Sequence, residues 1–188
     1  MSDSLEDRGR ALEEEFFRRQ NEKLLAKLRA EHQKKVGRAQ LTAATGISNA
    51  QVLDALVAQK IDATSLAAFA LVPLVEVAWA DGSLDPKEKA AITKSADDAG
   101  VKPGTHAHEL LDNWLAARPG PELARAWMNY TNALCAKLDA GARAQLKVEV
   151  IGRARRVAEA SGGILGLTKK VSDAEAQVLA KLDGAFPK

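Results

Sequence analysis

Residues 66 to 80 have the sequence LAAFALVPLVEVAWA, the most apolar stretch of the chain. A helix built from it is apolar on nearly every side, which is typical of the centre of a helical bundle. Pro73 lacks a backbone N–H, so we expect a kink there. The only charged residue is Glu76, for which a position on the polar edge of the helix is favoured over burial with a raised pKa. At about 1.5 Å per residue, the stretch is too short for a bilayer whose apolar layer is about 30 Å thick.

The composition of the whole chain also favours helices. Apolar residues make up 46% of the 188 residues and aromatic residues only 4%, while alanine, the best helix former, is abundant. We find no run of β-branched and aromatic residues bounded by turn residues, which would indicate a strand. We therefore predict an all-α protein, with a charged N-terminal helix in residues 1–46 and a compact bundle of about seven helices in residues 47–188.

Charge and cysteine content exclude several classes of function. The net charge is +2, so acids and bases nearly cancel, which argues against a nucleic-acid partner. The single Cys135 excludes an internal disulfide and a multi-cysteine zinc site, and its helical context indicates a core residue. The acidic start MSDSLED lacks the apolar segment of a signal peptide. We expect a cytoplasmic protein that does not insert into a membrane.

The N-terminal helix is predicted from residue 5 to about residue 36, weakened at Gly37 and ended at Gly46. Acids precede bases by four positions at Glu15/Arg19 and Glu31/Lys35, an order that stabilises a helix. Its few apolar residues form a narrow stripe, sufficient to dock on a partner or to pair as a coiled coil, but not to build a core. They are Leu12, Phe16, Phe17, Leu24, Leu25 and Leu28.

Capping signals predict where the later helices begin. Ser48 with Gln51 has the pattern of a capping box, followed by a staple of Ile47 against Val52. The same reasoning places N-caps at three further positions, followed by helices that begin near residues 86, 106 and 173. These caps are Asp85 with Glu88, Thr105, and Ser172 with Glu175.

The carboxylates of one turn have the spacing of half a cation-binding loop. Asp81, Asp85 and Glu88 match the second half of an EF-hand loop, but its first ligand positions fall on Val77 and Trp79. An EF-hand is therefore excluded. Two interpretations remain open: plain capping, or weak binding of a hard cation whose shell is completed by water.

The stretch from Ala78 to Ile92, AWADGSLDPKEKAAI, resembles the signature of the TerB-like (tellurite-resistance) family. The segment VSDAE at residues 171–175 is similar to the family's second acidic helix start, and the likeness covers about residues 49–186. The resemblance implies a compact helical bundle and a link to tellurite resistance or stress. It also implies a metal role for the acidic positions Asp81, Asp85, Glu88, Asp173 and Glu175.

Residues 5 to 30 are faintly similar to the zeta-type inhibitor of ATP synthase. The matching pieces are Asp7-Arg8, the acidic run at residues 13–15, and Phe16-Phe17. This likeness implies an inhibitory helix that acts on a larger assembly.

No catalytic constellation is evident in the sequence. His106 and His108 would point about 200° apart on a helix, so they could share a metal only if the residues near Thr105 were extended. We expect a non-enzymatic TerB-like module that binds a protein partner, with a weakly bound divalent cation as a candidate ligand. The alternative is a structural or inhibitory protein that acts through its N-terminal helix, by docking or by forming a homo-oligomer.

Overall fold

The computed structural model describes the backbone of residues 3–161 and 171–187, and the side chains of residues 15–160 and 171–187. Within these ranges the chain forms nine α-helices and no strand, which confirms the all-α prediction. The helices are α1 (Asp3–Thr45), α2 (Ala50–Ala58), α3 (Leu66–Phe69), α4 (Val72–Ala78), α5 (Pro86–Asp98), α6 (His106–Ala116), α7 (Pro121–Cys135), α8 (Ala140–Ser161) and α9 (Asp173–Asp183).

Helix α1 is longer than predicted, because Gly37 does not interrupt it. It ends where the sequence indicates: Gly46 has a φ of 69°, in the left-handed region that glycine adopts at little cost. The Gly46 N–H donates to the carbonyl of Thr42 at 2.8 Å. Leu41 is fully buried, so the last turns of α1 pack with the rest of the chain.

The predicted capping box at Ser48 is wrong by one position. The N-cap of α2 is Asn49, whose side-chain oxygen accepts from the N–H groups of Gln51 and Val52 at 3.0 and 3.2 Å. Both Ser48 and Asn49 carry a side chain suited to an N-cap, so local pattern alone does not choose between them. Ile47 and Val52, the predicted staple, are both buried in the core.

The predicted central helix of residues 66–80 is two short helices instead of one kinked helix. Pro73 lies in the first turn of α4, where its missing N–H removes no helical hydrogen bond, and the chain breaks between α3 and α4. The central position is confirmed. Every residue from Val72 to Ala78 except Glu76 is buried, as are Phe69 and Leu71.

Helix α4 is the centre of the bundle, in contact with α5, α7, α8 and α9. Helices α5 and α9 also pack on α8, while α3 packs on α6, and α2 packs on α1 and α7. The indole N–H of Trp79 donates to the carbonyl of Trp114 at 2.9 Å, which fastens the end of α4 to α6. Burial of each large aliphatic or aromatic side chain in this core contributes roughly 1.5–3 kcal/mol.

The remaining predicted boundaries agree with the structure at most positions. Asp85, Thr105 and Ser172 are N-caps, and Gly100 follows the end of α5 with a φ of 76°. Apolar residues at helical spacing from Leu123 to Leu138 predict that α7 ends at residue 138, but it ends at Cys135. The pair Gly162-Gly163, which predicts the end of α8, lies outside the described residues. Among the helices that are described, none combines the length and the apolar content needed to cross a bilayer.

Candidate functional site

The C-terminal third of α1 docks on α2 through a charged cluster. Two of the three guanidinium nitrogens of Arg38, Nε and Nη2, donate to the two carboxylate oxygens of Asp54, which is the bidentate geometry of a strong ion pair. Nζ of Lys34 lies 3.0 Å from Oδ2 of Asp54. The hydrogen bond from Arg38 holds the pKa of Asp54 below its ordinary value, although desolvation opposes it. This cluster fixes where α1 leaves the bundle.

Beyond this cluster, α1 stands clear of the other helices. Every residue from 16 to 36 is exposed, and its large apolar side chains are 52% to 62% exposed between Phe16 and Leu28. We call residues 16–33 the docking arm; as a helix it is about 27 Å long. Of the apolar residues predicted to form the stripe, Phe17, Leu24 and Leu28 share one side of the arm, and these three are called the stripe below. Leu12, which is also predicted to belong to the stripe, lies outside the residues whose side chains are described.

The stripe residues lie on one side of the arm. Positions separated by seven and four residues, as Phe17, Leu24 and Leu28 are, fall within a narrow sector of a helix surface. Phe16 and Leu25 flank the stripe, and the rings of Phe16 and Phe17 meet edge to face with centroids 5.9 Å apart. Single exposed apolar residues are ordinary on a protein surface, whereas a row of large ones along one side of a helix is not.

The five predicted metal ligands act mainly in helix caps and turns. Asp85 accepts from the Lys87 N–H at 2.7 Å, and Glu88 accepts from the Asp85 N–H at 3.1 Å. Ser172 and Glu175 form the matching capping box at α9, and both Glu88 and Glu175 are buried. Asp81 is exposed and accepts from the Ser83 N–H at 2.9 Å, and Asp173 is exposed in the first turn of α9.

These carboxylates do not form a metal-binding cluster. In the described ranges, no three His, Cys, Asp or Glu side chains lie together in an arrangement that could hold a metal ion. The structure therefore offers no described cluster to which the implied ligands Asp81, Asp85, Glu88, Asp173 and Glu175 could belong. A role in cation binding stays a prediction that comes from the family resemblance.

The two histidines of α6 have separate structural partners. His108 pairs with Asp112 one turn later, with Nδ1 and Oδ2 2.9 Å apart. Nε2 of His106 lies 3.0 Å from the carbonyl oxygen of Lys60 and must carry the proton, because a carbonyl can only accept. Lys60 has a φ of 60°, so His106 fastens the left-handed turn after α2.

Cys135 and Glu76 differ in how well they fit the core. Cys135 is fully buried, and this burial raises the pKa of its thiol against the charge of Arg143. It is a packing residue rather than a nucleophile. Glu76 is half-buried in α4, where burial raises the pKa of its carboxyl while the charges of Arg118 and Lys181 oppose the shift.

Comparison with known proteins adds no identification. No family model matches the chain, and neither a curated protein nor a solved structure matches it significantly. The resemblance to the TerB-like family thus stays a prediction from the residues quoted above, as does the fainter likeness of the N-terminal helix to the zeta-type inhibitor.

Sequence reasoning missed the residues that anchor the arm. Arg38 and Asp54 are 16 positions apart and belong to different helices, so no periodic pattern connects them. A weak signal was present, since Asp54 is the one acid in the otherwise uncharged helix α2. A lone charge on a short apolar helix indicates a partner of opposite sign nearby.

Proposed function

We propose that this chain is a non-enzymatic interaction module whose docking arm inserts its apolar stripe into a groove on a protein partner. One observation carries the proposal: Phe17, Leu24 and Leu28 are more than half exposed on a helix that projects from the bundle. An amphipathic helix placed in an apolar groove is a recurring mode of recognition, with anchors at this helical spacing. The bundle serves as the base that presents the arm.

The charge of the arm indicates the chemistry of the partner. It carries five basic side chains against two acidic ones, so a groove rimmed by carboxylates complements it. Pairing with a second copy of the arm would bring like charges together. The basic residues are Arg18, Arg19, Lys23, Lys27 and Arg29, and the acidic residues are Glu22 and Glu31.

A protein groove also fits the arm better than a lipid surface does. Helices that lie in a membrane interface need a broad apolar face. The stripe is narrow, and Asn21 lies in it between Phe17 and Leu24. A groove takes up such a narrow stripe, whereas insertion into a lipid surface needs a wider apolar face.

Binding of a synthetic peptide to the full chain tests the proposal. The probe is a labelled amphipathic helix with leucine at the core heptad positions and glutamate elsewhere, followed by fluorescence anisotropy. We expect binding that weakens as salt is added and that is lost in the triple variant Phe17→Ser, Leu24→Ser, Leu28→Ser. The control variant Ala26→Ser, Ala30→Ser changes exposed arm positions away from the stripe and should bind like the wild type.

Three results would contradict the proposal. The first is equal binding of the peptide by the triple variant and its control. The second is a dimer in light scattering that dissociates in the triple variant, since the stripe would then be covered by a second copy. The third is binding to anionic vesicles with none to the peptide. An inhibitory role on a larger assembly, the alternative expected from the sequence, requires the same arm and fails with it.

A further inference from the structure

A cavity of about 370 Å³ lies between α4, α7, α9 and the segment before α7. This volume is within the range of small-molecule sites, about 300–1,000 Å³. Its floor is apolar and its rim is charged. The lining consists of Glu76, Arg118, Pro119, Pro121, Ala124, Met128, Val178, Lys181 and Leu182.

Glu76 is the acid of this cavity and has no close partner in the described part of the chain. Only burial and the more distant charges of Arg118 and Lys181 act on its carboxyl, and no hydrogen bond contributes. No buried side-chain oxygen lacks a partner in the described residues, so the unpaired oxygens of Glu76 reach the solvent, where a ligand can donate to them. Glu76 interrupts an otherwise buried run of α4, so its position is not explained by packing.

The two cations at the rim are exposed and come from different segments. Arg118 precedes α7 and Lys181 is in α9, and each is close enough to Glu76 for its charge to act on the carboxyl. The cavity therefore presents one negative group and two positive groups around an aliphatic floor. An anionic group and a cationic group are both needed to complement this rim.

We infer that the cavity binds a small zwitterion with an aliphatic body, of the chemical class of an aliphatic α-amino acid. Its ammonium would donate to Glu76, and its carboxylate would accept from Arg118 and Lys181. Its side chain would pack on Met128, Val178 and Leu182. This cavity shares no residue with the docking arm, and the inference does not depend on the function proposed for the arm.

Calorimetric titration of the full chain with L-leucine tests the inference. Each control ligand lacks one feature: isoamylamine the carboxylate, isocaproate the ammonium, and glycine the aliphatic body. We expect saturable heat with L-leucine and binding weaker by about tenfold or more with each control, since each loses one charged contact or the buried apolar surface. Equal binding of isoamylamine, or no heat with L-leucine at any accessible concentration, would overturn the inference.

Variants place the binding at the cavity. Glu76→Gln keeps the size of the side chain and removes the charge that pairs with an ammonium, so L-leucine affinity should fall by about tenfold or more. Glu149→Gln changes an exposed acid of α8 outside the cavity and should bind like the wild type. Unchanged affinity in Glu76→Gln, with circular dichroism showing a folded chain, would contradict the site.

Discussion

Gly37 of α1 lies directly against Val57 of α2: a Cβ built on Gly37 would come within 3.2 Å of Cγ2 of Val57. This approach brings the two helices together next to Arg38 on α1 and about one turn from Asp54 on α2. The glycine that the sequence marks as a weak point of the helix is therefore a contact point. Its small size allows α1 to dock where Arg38 reaches Asp54.

Paired glycine substitutions measure this close approach. Gly152→Ala in α8 should raise the free energy of unfolding by about 0.5–1 kcal/mol, because alanine has the higher helix propensity and the new Cβ meets only the end of Arg156 at 3.8 Å. Gly37→Ala should gain less, since Val57 must move. Urea denaturation followed by circular dichroism measures both variants. Equal gains would show that Gly37 is not in tight contact.

The Asp54 cluster predicts a loss of stability in acid. The folded-state pKa of Asp54 is lowered from 3.8, so its contribution is present above that pH and is lost as the pH falls through the folded-state pKa. The free energy of unfolding of Asp54→Asn should therefore depend less on pH below 3.8 than that of the wild type. Asp97→Asn, at an exposed acid of α5, is the control and should keep the wild-type slope. If the free energy of unfolding depended on pH equally in both variants, Asp54 would not be a cause of the loss of stability in acid.

Glu76 predicts a pH dependence of opposite sign. Burial raises the folded-state pKa above 4.5, so the folded chain holds the proton longer than the unfolded chain does. The ionised carboxylate then lowers stability as the pH rises from 4.5 through the folded-state pKa. Glu76→Gln should become more stable relative to the wild type as the pH approaches neutrality, by thermal unfolding at a series of pH values. A stability difference that does not change with pH would contradict the burial of this charge.

The capping boxes predict different effects of two cap substitutions. Ser172→Ala removes the acceptor for the Glu175 N–H, and should lower the free energy of unfolding by about 1 kcal/mol. Asp85→Asn keeps an equivalent cap and should change it by less than about 0.5 kcal/mol. Chemical denaturation compares the two variants with the wild type.

The same variants separate capping from cation binding. If Asp81, Asp85 and Glu88 serve as a cap and a turn, then calcium, magnesium, manganese and zinc should leave the melting temperature of the wild type unchanged. A rise with one of these ions that Asp85→Asn abolishes would instead support the metal role implied by the TerB-like resemblance.

Local signals in the sequence were sufficient for most helix ends. Asp85, Thr105 and Ser172 each place a side-chain oxygen within reach of the next few N–H groups, and Gly46 and Gly100 tolerate a positive φ. These interactions span only a few residues, so pattern is enough to find them. At α2, the adjacent Ser48 and Asn49 are equally capable caps, so the local pattern does not choose between them.

The long-range parts of the sites could not be predicted in this way. Arg118 and Lys181 come to Glu76 from segments far apart in the chain, and Arg38 reaches Asp54 across two helices. Their proximity is a result of packing, which hydrophobic periodicity does not encode residue by residue. The apolar stripe of the arm was predictable, because Phe17, Leu24 and Leu28 share one helix and one side of it.

Hydroxyl-radical footprinting of the full chain, with and without the acidic helical peptide, tests the docking arm most directly. We predict rapid oxidation of Phe17, Leu24 and Leu28 in the free protein and protection of all three once the peptide is bound. Buried Phe69 and Leu74 should stay protected in both states and serve as internal controls. Protection of the stripe in the free monomer, or unchanged oxidation rates after the peptide is added, would contradict binding through the docking arm.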